Sequence, residues 1–387
     1  MPHVTALQGV RVIDMSTILA GPGAARHLAD FGATVVKVES PAGDDVRRLG
    51  WRDHSTGDSL FWRIVGRNKH PVCLDLKTVA GREVFERLIS GADVLIENLR
   101  PGKLESLGFD PKELTSRHRS LVVLRVSGFG QDGPYRDQPG FATLAEAMSG
   151  LASISGEPDA LPLLPPVALT DETTGLAGAF AVMVALYERE RSGRGQIIDV
   201  SLLDTMLQLL GALPAAWVSS GFLQGRMGSS LPYSVPRGTF QCADGEWIAL
   251  SASSNSVALR LLEVVGLGDR LDLADFDGRV AHRDEIDAAI RDWTSERSQV
   301  SALADLRAAD CAVAPVYSVD QMCADPHITE RGSLRIVDGV TMPAPVARLS
   351  RTPASIDWAG REPDACGEVI REGDDPWDAI ERRARLT

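Results

Sequence analysis

Short apolar runs and amphipathic segments alternate along the first half of the chain. The runs predict buried strands, and the segments between them place apolar residues at helical spacing. The strand-like runs are GVRVIDMS, VVKVES, HPVCLDLK, DVLIENL and LVVLRVSGFG. Strands that alternate with helices need crossover connections, which build a mostly parallel sheet covered on both faces. The pattern therefore predicts a Rossmann-like α/β domain.

The strongest helical pattern covers residues 172–191. It follows Thr170 and Asp171, carries basic residues in its last turn and stops at Gly193. Small residues along it are expected to let another backbone approach closely, namely Gly175, Ala177, Gly178, Ala179 and Ala181. A further strand and a further helix are predicted in the next segment, IIDVSLLDTMLQLLGAL.

The pattern changes near residue 222. GTFQCADGEWIALSA indicates two short strands around an Ala-Asp-Gly turn, and helices rich in Arg and Asp follow to about residue 308. These elements predict a separate, smaller α+β domain. Past residue 350 the irregular sequence is typical of a tail that runs over the surface.

The composition narrows the class of protein. At 387 residues the chain is long enough for two domains, and 44% hydrophobic and 24% charged residues are ordinary for a globular protein. The net charge of −13 argues against nucleic acid or an anionic membrane as a partner. No apolar run reaches the ~18 residues of a membrane span, and we expect no secretory signal. Five cysteines, none spaced C-x-x-C, indicate a reduced, cytoplasmic location.

Other kinds of site find little support in the motifs. ILAGPGAARHLADFG is similar to a dinucleotide-binding turn, but Arg26 replaces the third glycine of the G-x-G-x-x-G fingerprint. Glu39 ends the second strand, where such folds often bind a ribose. No histidine or cysteine cluster predicts a metal, and no G-x-S-x-G predicts a hydrolase serine. The loop GFGQDGPYRDQPG after the fifth strand is either a ligand-binding loop or a plain connector.

Asp171 has two compatible interpretations. It can cap the helix by accepting a backbone N–H of the first turn, which is worth about 1 kcal/mol. It can also be a nucleophile, because a carboxylate at a helix N-terminus is held ionised by the helix dipole and the free N–H groups. Caps far outnumber catalytic carboxylates, so the pattern alone favours the cap. Glu172 is expected to be a solvated acid of the first turn.

Several blocks in a fixed order resemble the family III CoA-transferases, the group of formyl-CoA and carnitine CoA-transferases. They run from about residue 7 to about residue 350 and read GVRVIDMSTILAGPGAARHLADFGATVVKVESPAGDDVR, LDLKT, DVLIENLRPGKLESLGF, SGFGQDGP, ALTDETTGLAGAFAVMVALYERERSGRGQ, IDVSLLD and PHITERG. The ordered blocks are specific for this superfamily and far less specific for a substrate.

The resemblance implies an interlocked homodimer and a large domain built from both ends of the chain. The expected organisation is a large Rossmann-like CoA-binding domain over 1–205, a linker helix over 206–224, a small α+β domain over 225–317, and a return to the large domain with a C-terminal tail over 318–387. No permanently bound cofactor is implied, since coenzyme A enters as the thioester substrate.

The resemblance also implies the site residues. Asp171 occupies the motif of the family's nucleophile. Its carboxylate attacks the acyl-CoA thioester to give an anhydride and CoA thiolate, and the thiolate then forms an aspartyl-CoA thioester from which an acceptor acid takes the CoA. Contacts with coenzyme A are implied at Leu19, Ala20, Leu74, Lys77, Asn98 and Leu99, with Arg100 as a phosphate partner.

Two departures from the family pattern leave alternatives open. The transferases carry a Gly-rich loop in the small domain, whereas the comparable GRMGSSLPYSVPRGTF has only scattered glycines. The α-methylacyl-CoA racemases share the fold and the aspartate, but Phe141 and Gln241 stand where they have a histidine and an acid. A CoA-transferase is therefore favoured over a racemase-like isomerase and over a non-catalytic acyl-CoA-binding protein.

The motifs leave the two carboxylic acids open. Arg136, Arg226 or Arg237 can bind the second carboxylate of a dicarboxylic donor such as succinyl-CoA. Each can equally be a solvated surface arginine, because arginine is mostly exposed in proteins.

Overall fold

The computed structural model describes residues 5–252, 254–372 and 375–384, and the chain divides into two compact units. The described residues of Met1–Ser149, Pro165–Gly211 and His327–Thr387 form the large unit, and Gly150–Leu164 with Ala212–Pro326 form the small unit. The predicted boundaries instead assign Gly150–Leu164 and residues 318–326 to the large domain. Gly150–Leu164 contacts the rest of the small unit partly through Arg226, which donates hydrogen bonds to the carbonyls of Glu157 and Pro158.

A six-stranded parallel sheet organises the large unit. Its strands are β1 Arg11–Asp14, β2 Thr34–Glu39, β3 Lys69–Cys73, β4 Val94–Glu97, β5 Val122–Ser127 and β6 Ile197–Ser201. The order across the sheet is β3-β2-β1-β4-β5-β6, and each neighbouring pair is parallel. The predicted Rossmann-like sheet is confirmed. Its strand order reverses between β1 and β4, the place where open parallel sheets bind ligands.

Helices connect the strands and build most of the rest of both units. In chain order they are α1 Ala20–Asp30, α2 Leu60–Val65, α3 Val79–Ser90, α4 Lys103–Ser106, α5 Pro111–Arg117, α6 Ala142–Met148, α7 Leu151–Ile154, α8 Leu169–Ser192, α9 Leu202–Leu209, α10 Leu213–Ser220, α11 Asn255–Val264, α12 Phe276–Ala281, α13 Arg283–Ser295, α14 Gln299–Ala308, α15 Val319–Ala324, α16 Pro326–Glu330, α17 Gly367–Glu372 and α18 Pro376–Ala384. Several of these helices have an N-cap side chain whose oxygen accepts a backbone N–H of the first turn. At the start of α3, for example, Thr78 accepts the backbone N–H of Gly81.

The C-terminal segment belongs to the core of the large unit. Trp377 is 1% exposed, and its indole N–H donates to the carbonyl of Leu88 at 2.9 Å. Ala359, Cys366 and Ile370 are buried as well. The expectation of a tail over the surface is therefore wrong. Its few apolar residues are spaced too irregularly to show a period, yet they are the ones that pack inside.

The small unit is built on a three-stranded antiparallel sheet. Its strands are β7 Arg237–Gln241, β8 Trp247–Ser251 and β9 Val313–Pro315, in the order β7-β8-β9. The two strands predicted around the Ala-Asp-Gly turn are confirmed. β9 is too short for a period of two to be visible in the sequence. The strands pack against α11, α13 and α14 around Ile248, Leu261 and Ile290.

The linker helix expected over 206–224 is instead two helices. α9 ends at Leu209, α10 begins at Leu213, and Gly211 between them has a φ of 56°. A glycine in the left-handed region stops a helix, and a proline in the first turn, here Pro214, starts a new one. The expectation of one continuous helix is therefore wrong.

By length and composition alone, α8 is apolar enough to cross a membrane, and α9 and α10 pass the same test only if taken together. In the large unit α8 packs along α1 and against β5 and β6. Ala179, Val182 and Ala185 are buried in that packing. A helix that packs on a sheet can have the same composition as a membrane span, and one face of α8 packs inside the large unit in this way.

Candidate active site

α1 and α8 meet with almost no side chain between them. A Cβ atom added to Gly175 would lie 3.1 Å from the carbonyl oxygen of Ala20 and 3.2 Å from the nitrogen of Ala24. The prediction that small residues of α8 admit another backbone is confirmed at this position. The contact brings the first turn of α8, which carries Asp171, to the cavity lined by the first turn of α1.

Asp171 lines a cavity of about 480 Å³ at the carboxyl ends of β1, β4 and β5. Five of the implied coenzyme A contacts line the same cavity, and these are Leu19, Ala20, Asn98, Leu99 and Arg100. Residues 126–128 and most of 136–143 complete the wall after β5. The structure therefore brings the candidate nucleophile and these contacts together.

The other two implied contacts, Leu74 and Lys77, lie in an adjoining cavity of about 260 Å³. This cavity lies at the carboxyl ends of β2 and β3, and Thr17 and Leu99 line both cavities. The seven implied contacts thus follow the edge of the sheet in two neighbouring groups.

Asp171 is not the N-cap of α8. The N-cap residue is Ala168, and no side-chain cap hydrogen bond is present. Asp171 is the third residue of the helix, and its carboxylate makes no hydrogen bond within the described part of the chain. The cap interpretation is therefore wrong, and the carboxylate faces the cavity instead.

The pKa of Asp171 is raised to about 6, first by burial and then by the negative charges of Glu172 and Glu146. Burial and like charges here outweigh the helix N-terminus, which was expected to hold the carboxylate ionised. A carboxylate of higher basicity is the better nucleophile, and at neutral pH most of the Asp171 population is still ionised.

The two carboxylates near Asp171 have partners of their own. Glu172 accepts a hydrogen bond from Arg26 at 2.9 Å, and Glu146 accepts one from the hydroxyl of Thr170 at 2.7 Å. Arg26, Glu146 and Thr170 are buried. Glu172 is thus ion-paired as well as half exposed. Arg26, which breaks the dinucleotide fingerprint, holds the acid next to the candidate nucleophile.

Neighbouring side chains hold the turn between β1 and α1. Asn98 accepts from the N–H of Thr17 at 2.8 Å and donates to its carbonyl at 2.7 Å. Asp44 accepts from the N–H of Ile18 at 3.1 Å and forms an ion pair with the buried Lys37 at 2.9 Å. Ile18 has a φ of 68°, a left-handed conformation that costs a β-branched residue about 1–3 kcal/mol. These contacts fix the backbone that lines the cavity beside Asp171.

The loop after β5 is closed at its base. A Cβ atom added to Gly128 would lie 2.4 Å from the Cα of Gly140, and Asp199 accepts from the N–H of Gln131 at 2.8 Å. Phe141 follows the loop, is 66% exposed and lines the cavity. The loop therefore forms part of the candidate site rather than only a connection. No histidine is among the described residues that line the cavity.

The carboxylate of Glu39 is hydrogen-bonded within the large unit. Its carboxylate oxygens accept from Arg47 at 2.6 and 2.8 Å, and the Arg47 guanidinium lies 3.6 Å from the centre of the Trp62 ring. These contacts take the place of the ribose contact that a dinucleotide-binding fold would make.

Sequence reasoning missed Glu146, whose charge raises the pKa of Asp171, and Arg26, which pairs with Glu172. Arg26 is 146 positions from its partner Glu172, and Glu146 is 24 positions from Thr170, so no local motif joins either pair. One signal was present in the sequence, since Glu146 is an acid within the apolar helical pattern FATLAEAMSGL.

The cavity combines groups suited to acyl transfer. It offers a carboxylate with no hydrogen-bond partner in the described chain, the start of α1 with the first-turn N–H groups of Ala20 and Gly21, and two cations, Arg100 and Arg136. A carboxylate can attack an acyl carbon, and backbone N–H groups can stabilise the oxyanion that forms. A proton transfer between two groups has less support here, because Phe141 stands where an imidazole would be needed.

Comparison with known proteins gives the family. The model of the CoA-transferase family III matches residues 7–366. The succinyl-CoA–L-malate CoA-transferase beta subunit of Chloroflexus aurantiacus is 37% identical over 378 residues, which cover 95% of this chain and 93% of the relative. The succinyl-CoA–D-citramalate CoA-transferase of the same organism is 34% identical over 374 residues, which cover 95% and 92%. A CaiB/BaiF family protein of Brucella suis has a crystal structure that matches with a TM-score of 0.84 at 31% identity, covering 95% of this chain and 99% of that chain. The chain therefore belongs to the CoA-transferase family III.

Proposed function

We propose that this CoA-transferase moves coenzyme A from an acyl-CoA thioester to a carboxylic acid through covalent intermediates on Asp171. The observation that carries the proposal is the setting of Asp171. It is a carboxylate with a pKa of about 6 and no cap role, and it faces a cavity lined by five of the implied coenzyme A contacts.

The proposed reaction needs no net proton transfer. An oxygen of Asp171 attacks the thioester carbon, the C–S bond breaks, and CoA thiolate leaves an acyl-aspartyl anhydride. The thiolate attacks the Asp171 carbonyl carbon, the donor acid leaves as its carboxylate, and an aspartyl-CoA thioester remains. The acceptor carboxylate then repeats the two steps in reverse, which regenerates the Asp171 carboxylate. Water must be kept out, because hydrolysis would destroy each intermediate.

Coenzyme A is proposed to lie along both cavities. Lys77 and Arg100 are suited to its phosphates, since lysine and arginine bind phosphate oxygens with charge-assisted hydrogen bonds. Leu74 and Leu99 offer apolar contacts, and Leu19 and Ala20 border the thioester beside Asp171. The carboxyl ends of parallel strands near a switch point are the usual place for such a ligand. No permanently bound cofactor takes part in this scheme.

The donor is proposed from the relatives. Both of the named Chloroflexus enzymes use succinyl-CoA, so succinyl-CoA is the first donor to test. The acceptor is left as a carboxylic acid.

Borohydride trapping tests the proposal. The protein is mixed with a panel of acyl-CoA thioesters, treated with borohydride and examined by intact and peptide mass spectrometry. We expect reduction of the Asp171 carboxyl to the alcohol, with some thioesters only and never in Asp171→Asn. If no thioester in a broad panel modifies Asp171 while turnover is observed, the covalent route is wrong.

The quaternary structure is proposed to be a homodimer. Along α8, apolar side chains at least half exposed recur on one face, and these are Leu176, Phe180, Val184 and Tyr187. α10 contains no buried residue. Exposed apolar faces of this kind mark protein–protein interfaces. Sedimentation velocity tests the assignment: the parent is expected to be a dimer, and Phe180→Glu is expected to shift it towards monomer.

The cytoplasm is the proposed location. The odd number of cysteines without a C-x-x-C spacing suits a reducing compartment. Cell fractionation of the untagged protein tests it, and recovery in a membrane fraction that resists high salt would contradict it.

A further inference from the structure

The two cavities follow the strand order of the sheet. The smaller one includes Lys77, which follows β3, and the larger one includes Arg136, which follows β5. In the order β3-β2-β1-β4-β5-β6, Lys77 follows one edge strand and Arg136 follows the strand next to the other edge. A thioester with its coenzyme A at the β3 side and its acyl carbon at Asp171 therefore directs the rest of the acyl group towards β5.

Two arginines line the larger cavity among the described residues, Arg100 and Arg136. Arg100 follows Leu99, which lines both cavities, so it lies on the side assigned to coenzyme A. Arg136 lies on the loop after β5 and is the cation left for the acyl group.

The ion pair that the guanidinium of Arg136 forms is weak. The guanidinium lies 3.4 Å from the carboxylate of its neighbour Asp137, and the two side chains are 46% and 81% exposed. An exposed pair of this kind contributes little to stability, so a ligand can replace it. Arg226 and Arg237, by contrast, donate to backbone carbonyls of the small unit.

We propose that Arg136 binds the distal carboxylate of a dicarboxylic acyl group and makes the enzyme selective for dicarboxylic donors and acceptors. The inference rests on the proposed function, because the thioester position at Asp171 defines where the distal carboxylate lies. An arginine fork binds a carboxylate with two parallel hydrogen bonds, which a methyl group in the same place cannot accept.

The base of the loop supports this role. The close packing of Gly128 on Gly140 and the hydrogen bond from Gln131 N–H to Asp199 fix both ends of the loop. A guanidinium on a fixed base discriminates better than one on a freely moving segment, because less conformational freedom is lost on binding.

The test compares succinyl-CoA with butyryl-CoA, which has the same chain length and a methyl group in place of the distal carboxylate. The measured quantity is kcat/KM for each donor with the same acceptor, for the parent, Arg136→Gln and Arg136→Lys. We expect Arg136→Gln to lose about 100-fold with succinyl-CoA, mostly in KM, and less than about threefold with butyryl-CoA. Arg136→Lys should recover part of the loss, since it restores the charge without the fork.

Asp137→Asn is the matched control on the same loop. It removes the exposed ion pair and keeps the guanidinium, so its preference for succinyl-CoA should equal or exceed that of the parent. Equal losses with both donors in Arg136→Gln, or no loss, would overturn the inference. Borohydride trapping of Asp171 in the parent separates the two levels: if trapping succeeds while selectivity is unchanged, the role of Arg136 alone is wrong. If trapping fails with every thioester, the proposed function is wrong and this inference falls with it.

Discussion

Asp14 and Asp171 are two acids of the large unit with opposite surroundings, and Asp14 is buried whereas Asp171 is half-buried. Asp14, at the end of β1, lies 2.8 Å from Lys69 and 3.9 Å from Lys37, and all three side chains are buried. Burial raises the pKa of Asp14, but the charges of the two lysines lower it by a larger amount. The net shift of the pKa is therefore downward. Asp171 forms no ion pair with a cation among the described residues, and its pKa is raised to about 6.

The difference separates an acid that stabilises the fold from an acid that is suited to react. A buried charge that supports the fold is surrounded by opposite charges and hydrogen-bond donors, since a lone buried charge is costly. A nucleophile must keep its lone pairs available, so the protein leaves it unpaired and accepts the cost in stability. Four predictions test this contrast.

The largest expected effect is on turnover. Asp171→Asn keeps the shape of the side chain but cannot form an anhydride, so kcat should fall by about 10⁴-fold or more. Initial rates with succinyl-CoA and an acceptor acid measure it. Glu172→Gln is the neighbouring control, and it should retain most of the turnover. If Asp171→Asn kept a rate within tenfold of the parent rate, this would contradict the reactive role that distinguishes Asp171 from Asp14.

The next effect is on folding. Asp14→Asn leaves the buried Lys69 without its anionic partner, whereas Lys37 keeps its ion pair with Asp44. The loss at Lys69 should destabilise the large unit by about 3–5 kcal/mol. The urea midpoint, followed by tryptophan fluorescence, measures the change. Asp137→Asn, at an exposed ion pair, should change the free energy of unfolding by less than about 0.5 kcal/mol. A midpoint for Asp14→Asn equal to that control would show that the buried cluster is dispensable.

A smaller effect on the free energy of unfolding has the opposite sign to that of Asp14→Asn. Because the pKa of Asp171 is raised to about 6 in the folded protein, its stabilising contribution is complete below the unfolded value of 3.8 and is lost as the pH rises through about 6. An asparagine side chain does not titrate, so Asp171→Asn should be more stable than the parent by on the order of 2 kcal/mol above pH 7. The advantage should disappear near pH 4. Urea unfolding at both pH values measures it, and a parent more stable than the variant at high pH would contradict the raised pKa.

The smallest effect is a shift in a pH profile. Trapping of Asp171 should increase with pH through about 6, because the carboxylate attacks only when ionised. Glu146→Gln removes one of the negative charges that raise this pKa, so its midpoint should move to lower pH. Thr170→Val breaks the 2.7 Å hydrogen bond to Glu146 but keeps the charge, so it should not move the midpoint downward. Coincident profiles for the parent and Glu146→Gln would show that Glu146 does not act on Asp171.

Local patterns predicted the parts of the fold that depend on short stretches of chain. The strands of the large sheet and the long helix after Asp171 have clear periods, and their order implies the parallel sheet. Trp377 was missed as a core residue, because its partner Leu88 is 289 positions away and no periodic run surrounds it.

At the candidate site, too, local patterns show what a short stretch of chain determines and miss what distant residues determine. The position of Asp171 before a small-residue helix is visible in the sequence, and so are the implied contacts after the strands. Its electrostatic setting is not fully visible, because it depends in part on Glu146, which falls elsewhere in the chain and reaches Asp171 only through the packing of α6 against α8. The cap expectation failed for a local reason, since α8 begins at Leu169 whereas the pattern places its start at residue 172.

The glycine contact between α1 and α8 has a mechanical consequence. Where long side chains separate two helices, rotamer changes let them slide past one another. At Gly175 the spacing is set by backbone atoms, which have no rotamers to exchange and resist compression steeply. We therefore expect the start of α1 and the first two turns of α8 to move together during thermal motion. The alignment of Asp171 with the start of α1 should persist, almost unchanged, up to the temperature at which the large unit melts.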